Sequence, residues 1–299
     1  MKIGLIAASE ERGMTGMSDL RSAIKRHGHV PCEFLVDRAG VRMGNGKVSV
    51  FASADMHGIT EEKLDGALLR NIGIVKDYEQ LGQRIWTLRS LEICGTYVMN
   101  NVMPWLSASD KFSTLVTLSE AGLPVPDTVS SEDFFAGYRA TREFKSSVIK
   151  PLRSGLGLGV FKVDDPDVAM HIFSYFMNVN KPIYVQRFLE KKGGGDYRII
   201  VVGDKVIGAE FRKGKTWKSN ISQGGVPRKA KINGEMSELA IKATKAMGLD
   251  FAGIDMVETK DGYYILETNP TVGWSGFKSV TGVDPAEHIV RHLISKLKA

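Results

Sequence analysis

Three oxygen-bearing side chains late in the chain carry the clearest chemical pattern: Asp255, Glu267 and Asn269. Asp261-Gly262 lies between two runs rich in β-branched and aromatic residues, Phe251 to Glu258 and Tyr263 to Leu266. That arrangement signals a tight hairpin. If the strands pair across the turn, Asp255 and Glu267 can face one another. Glu267 and Asn269 are two apart, so on a strand both point to one face, and Pro270 ends the ladder just beyond. Two carboxylates and one amide carbonyl, with no thiol or imidazole among them, make a ligand set for a hard cation. It suits magnesium, with phosphate oxygens completing the octahedron. The same residues would also serve as the wet side of an ordinary acidic hairpin.

A second group lies upstream. Val148-Ile149-Lys150-Pro151 reads as a strand ending in a lysine, and it runs into Arg153-Ser154-Gly155-Leu156-Gly157-Leu158-Gly159-Val160. Glycine at alternate positions lets backbone amides approach an anion and allows a mobile flap. A glycine-tolerant hairpin turn is the other reading, and the preceding lysine favours the flap. Asp196 and Arg198 share a strand face by the period of two, ahead of the β-forming run Ile199 to Val202. Lys218-Ser219-Asn220 reads as a strand entering the glycine turn at Gln223-Gly224-Gly225. Gly214-Lys215-Thr216 matches only the end of a P-loop. That motif needs a glycine where Ala209 stands, and a strand-to-helix junction where Trp217 to Ile221 reads as extended. The histidines show no metal-protease pair at helical spacing, and no glycine-flanked serine elbow is present, which argues against triad hydrolysis.

The chain of 299 residues is 43% hydrophobic and 25% charged, as in a soluble globular protein of two or three compact units. No apolar run approaches the ~20 residues that span a bilayer. Ile3 to Ala8 follows a single lysine and precedes Glu10, Glu11 and Arg12, so it reads as a first strand and not a signal peptide. Cys32 and Cys94 lie far apart without metal-type spacing, and a reducing cytoplasm is the expectation. The net charge of +6 suits a nucleotide as well as it suits nucleic acid. Apart from Arg187 to Lys192 and Arg212 to Lys218 the basic residues are dispersed, with no nucleic-acid motif and no interleaved aromatics. Neither nucleic acid nor membrane is therefore expected as a partner.

Several elements must position these groups. Lys2–Ala8, Cys32–Val36, Val48–Phe51 behind the turn Gly44-Asn45-Gly46, Gly66–Leu69 and Tyr97–Met99 read as strands, and Ser18–Arg26 and Tyr78–Cys94 as helices. Strands separated by helices imply a parallel, doubly wound sheet with ligands beyond its carboxyl ends. Gly13 and Gly16 make no dinucleotide fingerprint. A helix starts at Ser107 to Asp110, with Phe112, Leu115, Val116 and Leu118 on one face, and closes at Ala121-Gly122 before Pro124 and Pro126. Asp165-Pro166 opens a helix to Met177 whose Met170, Phe173, Phe176 and Met177 are expected in the core. Ile183–Leu189 is a strand, Gly203-Asp204 turns into Val206–Phe211, and Glu235–Met247 and Asp284–Leu297 are helices. The expected units are residues 1–106, 107–184 and 185–299.

In their order these blocks resemble the ATP-grasp ligases of the RimK type, most strongly from Asp110 to Val283. The opening of that fold is matched by Asp110-Lys111 and by Ala121-Gly122-Leu123-Pro124-Val125-Pro126-Asp127-Thr128. The resemblance implies an α/β chain: an N-terminal doubly wound domain of the kind that precedes ATP-grasp, then a two-lobed ATP-grasp fold of α+β subdomains. It implies that Lys111, Lys150, Gly155 and Gly157 hold the nucleotide phosphates, that Gln186, Arg187, Phe188 and Leu189 meet adenine, and that Asp196 meets ribose. Lys218, Ser219 and Asn220 fill the place of a basic-Ser-Asn triplet near the terminal phosphate. Arg198, Lys218 and Asn220 become the catalytic candidates, and Asp255, Glu267 and Asn269 fall on the metal ligands. Arg187 stands where relatives commonly carry an acid, and Lys218 replaces a frequent arginine, losing bidentate phosphate geometry.

Within the family, Gly273-Trp274-Ser275-Gly276-Phe277 and Asp65-Gly66-Ala67-Leu68-Leu69-Arg70 look most like the tetrahydromethanopterin:L-glutamate ligases. The implied activity is ATP-dependent amide formation through an acyl phosphate, with ATP and Mg²⁺ or Mn²⁺, two ions in all, as cofactors. The implied partners are L-glutamate and a carboxylate acceptor, in a homo-oligomer. The acceptor could be a pterin coenzyme, a deazaflavin coenzyme, or the terminal glutamate of a protein or carrier protein. A non-catalytic nucleotide-binding protein on the same fold is the reading from another class.

Overall fold

A computed structural model of the chain describes residues 1–11, 16–61, 63–75, 77–152 and 158–299. The chain opens with β1 (Lys2–Ala7), α1 (Met17–Arg26) and β2 (Val30–Leu35). Next come β3 (Gly40–Gly44), β4 (Lys47–Asp55) and β5 (Gly58–Glu61), then β6 (Gly66–Leu69), α2 (Tyr78–Ile93) and β7 (Tyr97–Met99). Strands β2-β1-β6-β7 form a parallel sheet, as the alternation of strands and helices requires. All of β6 is buried, which explains its uninterrupted apolar sequence. α1 starts at Met17 behind Gly16, not under a Ser18 cap. Gly16 sits at φ 94°, and a Cβ there would lie 2.4 Å from the Trp274 ring. β3, β4 and β5 form a separate antiparallel sheet, of which the sequence showed one turn and one strand. At that turn Asn45 and Gly46 both have positive φ (50° and 71°), the twist a two-residue hairpin needs.

The chain continues through α3 (Val102–Ala108), α4 (Lys111–Glu120), β8 (Thr128–Ser131), α5 (Phe134–Phe144), β9 (Ser147–Ile149), β10 (Phe161–Val163), α6 (Pro166–Asn178) and β11 (Ile183–Arg187). Strands β10-β9-β11-β8 make a four-stranded antiparallel sheet that α5 and α6 cover through Phe144, Phe173 and Phe176, in one core with Ile183 of β11. In α6 the buried positions are Ala169, Phe173 and Phe176, spaced four and three. Met170 and Met177 stand one residue further round and are 36% and 46% exposed, so they are not core residues. The same offset leaves Phe112 and Val116 outside while Leu115 and Leu118 are buried.

The last part comprises β12 (Gly195–Val202), β13 (Lys205–Lys213), β14 (Val226–Lys229), α7 (Gly234–Ala246), β15 (Phe251–Thr259), β16 (Gly262–Asn269), α8 (Ser275–Thr281) and α9 (Pro285–Lys298). Its five-stranded antiparallel sheet has the order β14-β13-β12-β15-β16. Lys218 to Asn220 is irregular and leads into a short 3-10 turn, not a strand; the ladder resumes only at Val226. Helices α2, α4, α5, α6, α7 and α9 each open on an Asp or Asn that accepts a backbone N–H, which satisfies donors the first turn leaves open. Among the described residues no helix is long and apolar enough to cross a membrane.

One buried side chain ties the parallel sheet to the β15–β16 hairpin. Asn100 is fully buried; its Nδ2 donates to the carbonyls of Phe251 (2.9 Å) and Pro270 (3.2 Å). Its Oδ1 accepts from the backbone N–H groups of Asp250 (2.8 Å) and Phe251 (3.0 Å). Asn100→Ala leaves these groups without partners in a dry interior. It should lower unfolding free energy by about 3 kcal/mol, measured by urea denaturation, and a loss below about 1 kcal/mol would show that the tie is dispensable.

Candidate active site

Antiparallel register decides which charges meet. On β12, Arg198 is opposite Glu210 of β13 on one side and Asp255 of β15 on the other, and Asp255 is opposite Glu267 of β16. Two residues away, Asp196 is opposite Arg212. Side chains in such rows face one another. Arg198 grips Asp255 through Nε and Nη2, each 2.8 Å from a separate carboxylate oxygen. Arg212 donates from Nε to Asp196 Oδ1 (2.8 Å) and brings Nη2 to 3.1 Å from Asp255 Oδ1. Lys191 stands 3.9 Å from the other oxygen of Asp196 and donates to Ser219 Oγ (2.7 Å) and the Trp217 carbonyl (3.0 Å).

These groups are buried, so their protonation follows from their neighbours. Burial alone would push the Asp255 carboxyl up, but Arg198 and Arg212 outweigh it and hold it well below the usual carboxylate range. For Arg212, burial opposes the charge while Asp255 and Asp196 more than restore it. Glu210 behaves differently. Burial raises its carboxyl against the pull of Arg212 and Arg198, and its Oε2 has no hydrogen-bond partner among the described residues. Gly276 packs over that oxygen; an added Cβ would come within 3.1 Å.

Across from this sheet stands Lys150, one residue past β9 and 6% exposed. Its Nζ donates to Gln186 Oε1 (3.0 Å), Gln186 donates onward to Thr128 Oγ1 (3.2 Å), and the Tyr184 ring lies 5.6 Å away. Burial brings the Lys150 pKa down to about 8, although Glu267 favours the charged form. Lys111, in the first turn of α4, places Nζ 3.8 Å from Glu267 Oε1. Arg187 is turned aside: it donates to Asp127 Oδ2 (2.8 Å) and its guanidinium lies 4.8 Å from the Phe144 ring centre. Phe188 meets Trp217 edge-on at 6.0 Å.

A cleft of about 880 Å³ runs between these walls. Lys111, Lys150, Gln186 through Leu189, Asp196, Arg198, Lys218, Ser219, Asn220, Asp255, Glu267 and Asn269 all line it. The structure thus gathers into one cavity every candidate residue that falls among those described. Gly155 and Gly157 lie outside them. Val148, Val160, Val257 and Leu266 give the cleft an apolar stretch suited to a flat base. Sequence reasoning missed Arg70, Lys191, Glu210 and Arg212, which also line the cleft. Glu210 and Arg212 carry the same two-residue alternation as Asp196 and Arg198, so the register of β12 and β13 would have found them. Lys191 sits in a loop and carries no such pattern.

The oxygen donors fit a hard divalent cation. Asn269 donates its Nδ2 to the Gly253 carbonyl (3.4 Å), which leaves Oδ1 as acceptor. Asp255 Oδ2 keeps a lone pair beyond the one Arg198 uses, whereas Oδ1 also faces Arg212. Among the described residues no three His, Cys, Asp or Glu side chains gather, so water or phosphate has to fill most of the coordination shell.

Comparison with known proteins shows the family and the fold. The sequence profile of the RimK-like ATP-grasp domain matches residues 108–293. The tetrahydromethanopterin:alpha-L-glutamate ligase of Methanosarcina acetivorans is 33% identical over 260 residues, covering 77% of this chain and 80% of the relative. A probable alpha-L-glutamate ligase of Haemophilus influenzae is 31% identical over 232 residues, 74% of this chain and 77% of its own length. Among solved structures, the ATP-grasp ligase PsnB, complexed with a phosphomimetic variant of its minimal precursor, Mg and ADP, superposes with a TM-score of 0.73. That match covers 98% of each chain at 22% identity and bears on the fold alone.

The lowered pKa of Lys150 has a measurable consequence. Its ammonium is the form that attracts phosphate, and in the free protein it is lost above about pH 8. Affinity for metal-free ADP should be flat below pH 8 and fall up to about tenfold per pH unit above it, because binding then takes up a proton. Lys150→Arg, which stays charged, should flatten the profile. Calorimetric titrations from pH 7 to 10 check this; a flat profile for the unaltered protein contradicts it.

Proposed function

The chain belongs to the RimK-like ATP-grasp family of ligases, and we propose that it joins the amino group of L-glutamate to a carboxylate of a tetrahydromethanopterin-type coenzyme. The energy comes from ATP cleaved to ADP and phosphate. The observation that carries this reading is the meeting of Asp255, Glu267 and Asn269 with the buried Lys150 in one cleft. Glutamate and the pterin acceptor are supported by the activities of relatives that share about a third of their residues with this chain.

A carboxylate and an amine do not condense in water, because the carboxylate oxygen is a poor leaving group. Transfer of the terminal phosphoryl group to that oxygen gives an acyl phosphate and releases ADP. The amine nitrogen then attacks the acyl carbon, phosphate departs with the C–O electron pair, and the nitrogen gives up its proton. The protein needs no nucleophile for this; it has to align the groups and offset their charge. Lys150, Lys111 and Lys218 offset the phosphate charge. Arg198, held in place by Asp255, stabilises the oxyanion of the tetrahedral state. One or two Mg²⁺ ions on Asp255, Glu267 and Asn269, or Mn²⁺ in their place, would screen the phosphates and polarise the transferring group.

The reading is tested by incubating the protein with ATP, Mg²⁺ and L-glutamate against a panel of acceptors. These are a tetrahydromethanopterin-type coenzyme, a deazaflavin coenzyme and a peptide ending in glutamate, with products followed by mass. A gain of one glutamyl unit on the pterin is the expected result; no mass gain on any acceptor would refute it. Glu267→Gln should abolish acceptor-dependent ADP release without unfolding the protein. It is a cleaner test than Asp255→Asn, which leaves Arg198 and Arg212 facing a neutral amide. Arg198→Met should lower kcat by about a hundredfold, and unchanged turnover would remove it from the mechanism.

A further inference from the structure

Arg70 directly follows β6, at the carboxyl end of a parallel strand, where sheets of this type present ligands. It is 1% exposed yet lines the cleft. A side cavity of about 210 Å³ shares Arg70, Lys111, Glu267, Asn269 and Thr271 with the cleft but none of the residues from Gln186 to Leu189. Arg70 therefore stands by the oxygen donors and away from the adenine stretch.

Its bonding is incomplete. Nη2 donates to the Val272 carbonyl (3.1 Å), and the Trp274 ring lies 4.6 Å from the guanidinium carbon. Nε and Nη1 have no hydrogen-bond partner, and no carboxylate pairs with Arg70 among the described residues. A guanidinium withdrawn from water normally has an anion beside it. Arg212, at comparable burial, has two. Arg70 is instead fixed in its plane by stacking and one carbonyl, with two buried donors unpaired in a residue that lines the cleft and its side cavity. The planar guanidinium matches a carboxylate.

We propose that Arg70 binds a non-reacting carboxylate of the substrates, that of the incoming amino acid or that of the acceptor, at the end of the cleft away from adenine. This rests on the ligase reading for the nature of the ligand. It supplies the anion that the described residues do not provide, and it draws the N-terminal parallel sheet into substrate selection.

Calorimetric titration of the protein saturated with ADP and Mg²⁺ tests the assignment with two probes. L-glutamate stands for the incoming amino acid. N-acetyl-L-glutamate, a diacid without a free amine, stands for an acceptor ending in glutamate. Arg70→Met should weaken one of them at least tenfold and Arg70→Lys by less, with ADP affinity within twofold as the control for folding. Weakening of L-glutamate alone assigns the amino-acid side; weakening of N-acetyl-L-glutamate assigns the acceptor side. In the unaltered protein, the α-amide or the γ-amide of the binding probe should lose the same factor, whether or not Arg70→Met folds. Equal affinity of diacid and amides, unchanged affinity in Arg70→Met, or no binding of either probe to the unaltered protein overturns the proposal. Arg70-dependent probe binding without product from any acceptor would instead count against the ligase reading.

Discussion

A carboxylate sealed inside a protein survives as an anion only if cations accompany it. Asp255 is such a group. The bidentate grip of Arg198 and the approach of Arg212 at 3.1 Å keep it charged, and Asp196 in turn neutralises Arg212. Taking one member away would strand the rest in a medium that penalises lone charge. The arrangement is therefore rigid for an electrostatic reason. Neighbouring strands deliver its members by register, Arg198 and Asp255 in one row and Asp196 and Arg212 in the row two residues along. Lys191, Ser219 and Glu210 take positions that this central group leaves them. On the proposed reading, a phosphate chain and its cations would find charges already oriented, with little reorganisation left for the reaction itself.

That charged face depends on parts of the chain far away in sequence. The β15–β16 hairpin is fixed from behind by Asn100, which comes from the end of the parallel sheet. Beyond it, Trp274 drops into the core shared by α1 and α9, closing on Gly16 and donating Nε1–H to Asp19 (3.0 Å). The same ring carries Arg70. The N-terminal sheet thus contributes Arg70 to the wall of the cleft.

Legibility in the sequence followed the physics of each feature. The hairpin that carries the metal donors was plain from the two runs around Asp261-Gly262. The facing of Asp255 and Glu267 is not set by the turn: counting back from the Thr259–Gly262 pair puts Asp255 opposite Leu266, and a register shift between Asp255 and Met256 moves it to Glu267. Gly66 to Leu69 and Tyr97 to Met99 were equally plain, since buried parallel strands have no polar side to blur them. α5 went unnoticed although Asp133 caps it. Its Gly137 looks like a breaker, and the reason for it, close contact with Ile183 and Phe173, exists only after folding. Lys218 to Asn220 reads as a strand from its neighbours, but the chain there follows Lys191, a loop residue 28 positions before Ser219. The unpaired donors of Arg70 were hidden for the same reason: sequence marks an arginine, and only packing shows that its Nε and Nη1 have no partner among the described residues.

The central claim is that Asp255, Glu267 and Asn269 hold divalent metal against a nucleotide whose phosphates face Lys150. Crystals grown with ADP and Mn²⁺ and measured at the manganese absorption edge test it most directly. The account predicts an anomalous peak about 2.1 Å from oxygens of Glu267 and Asn269, with the ADP phosphates between that peak and Lys150. A peak outside the cleft, or a nucleotide bound with its phosphates turned from Lys150, would contradict it.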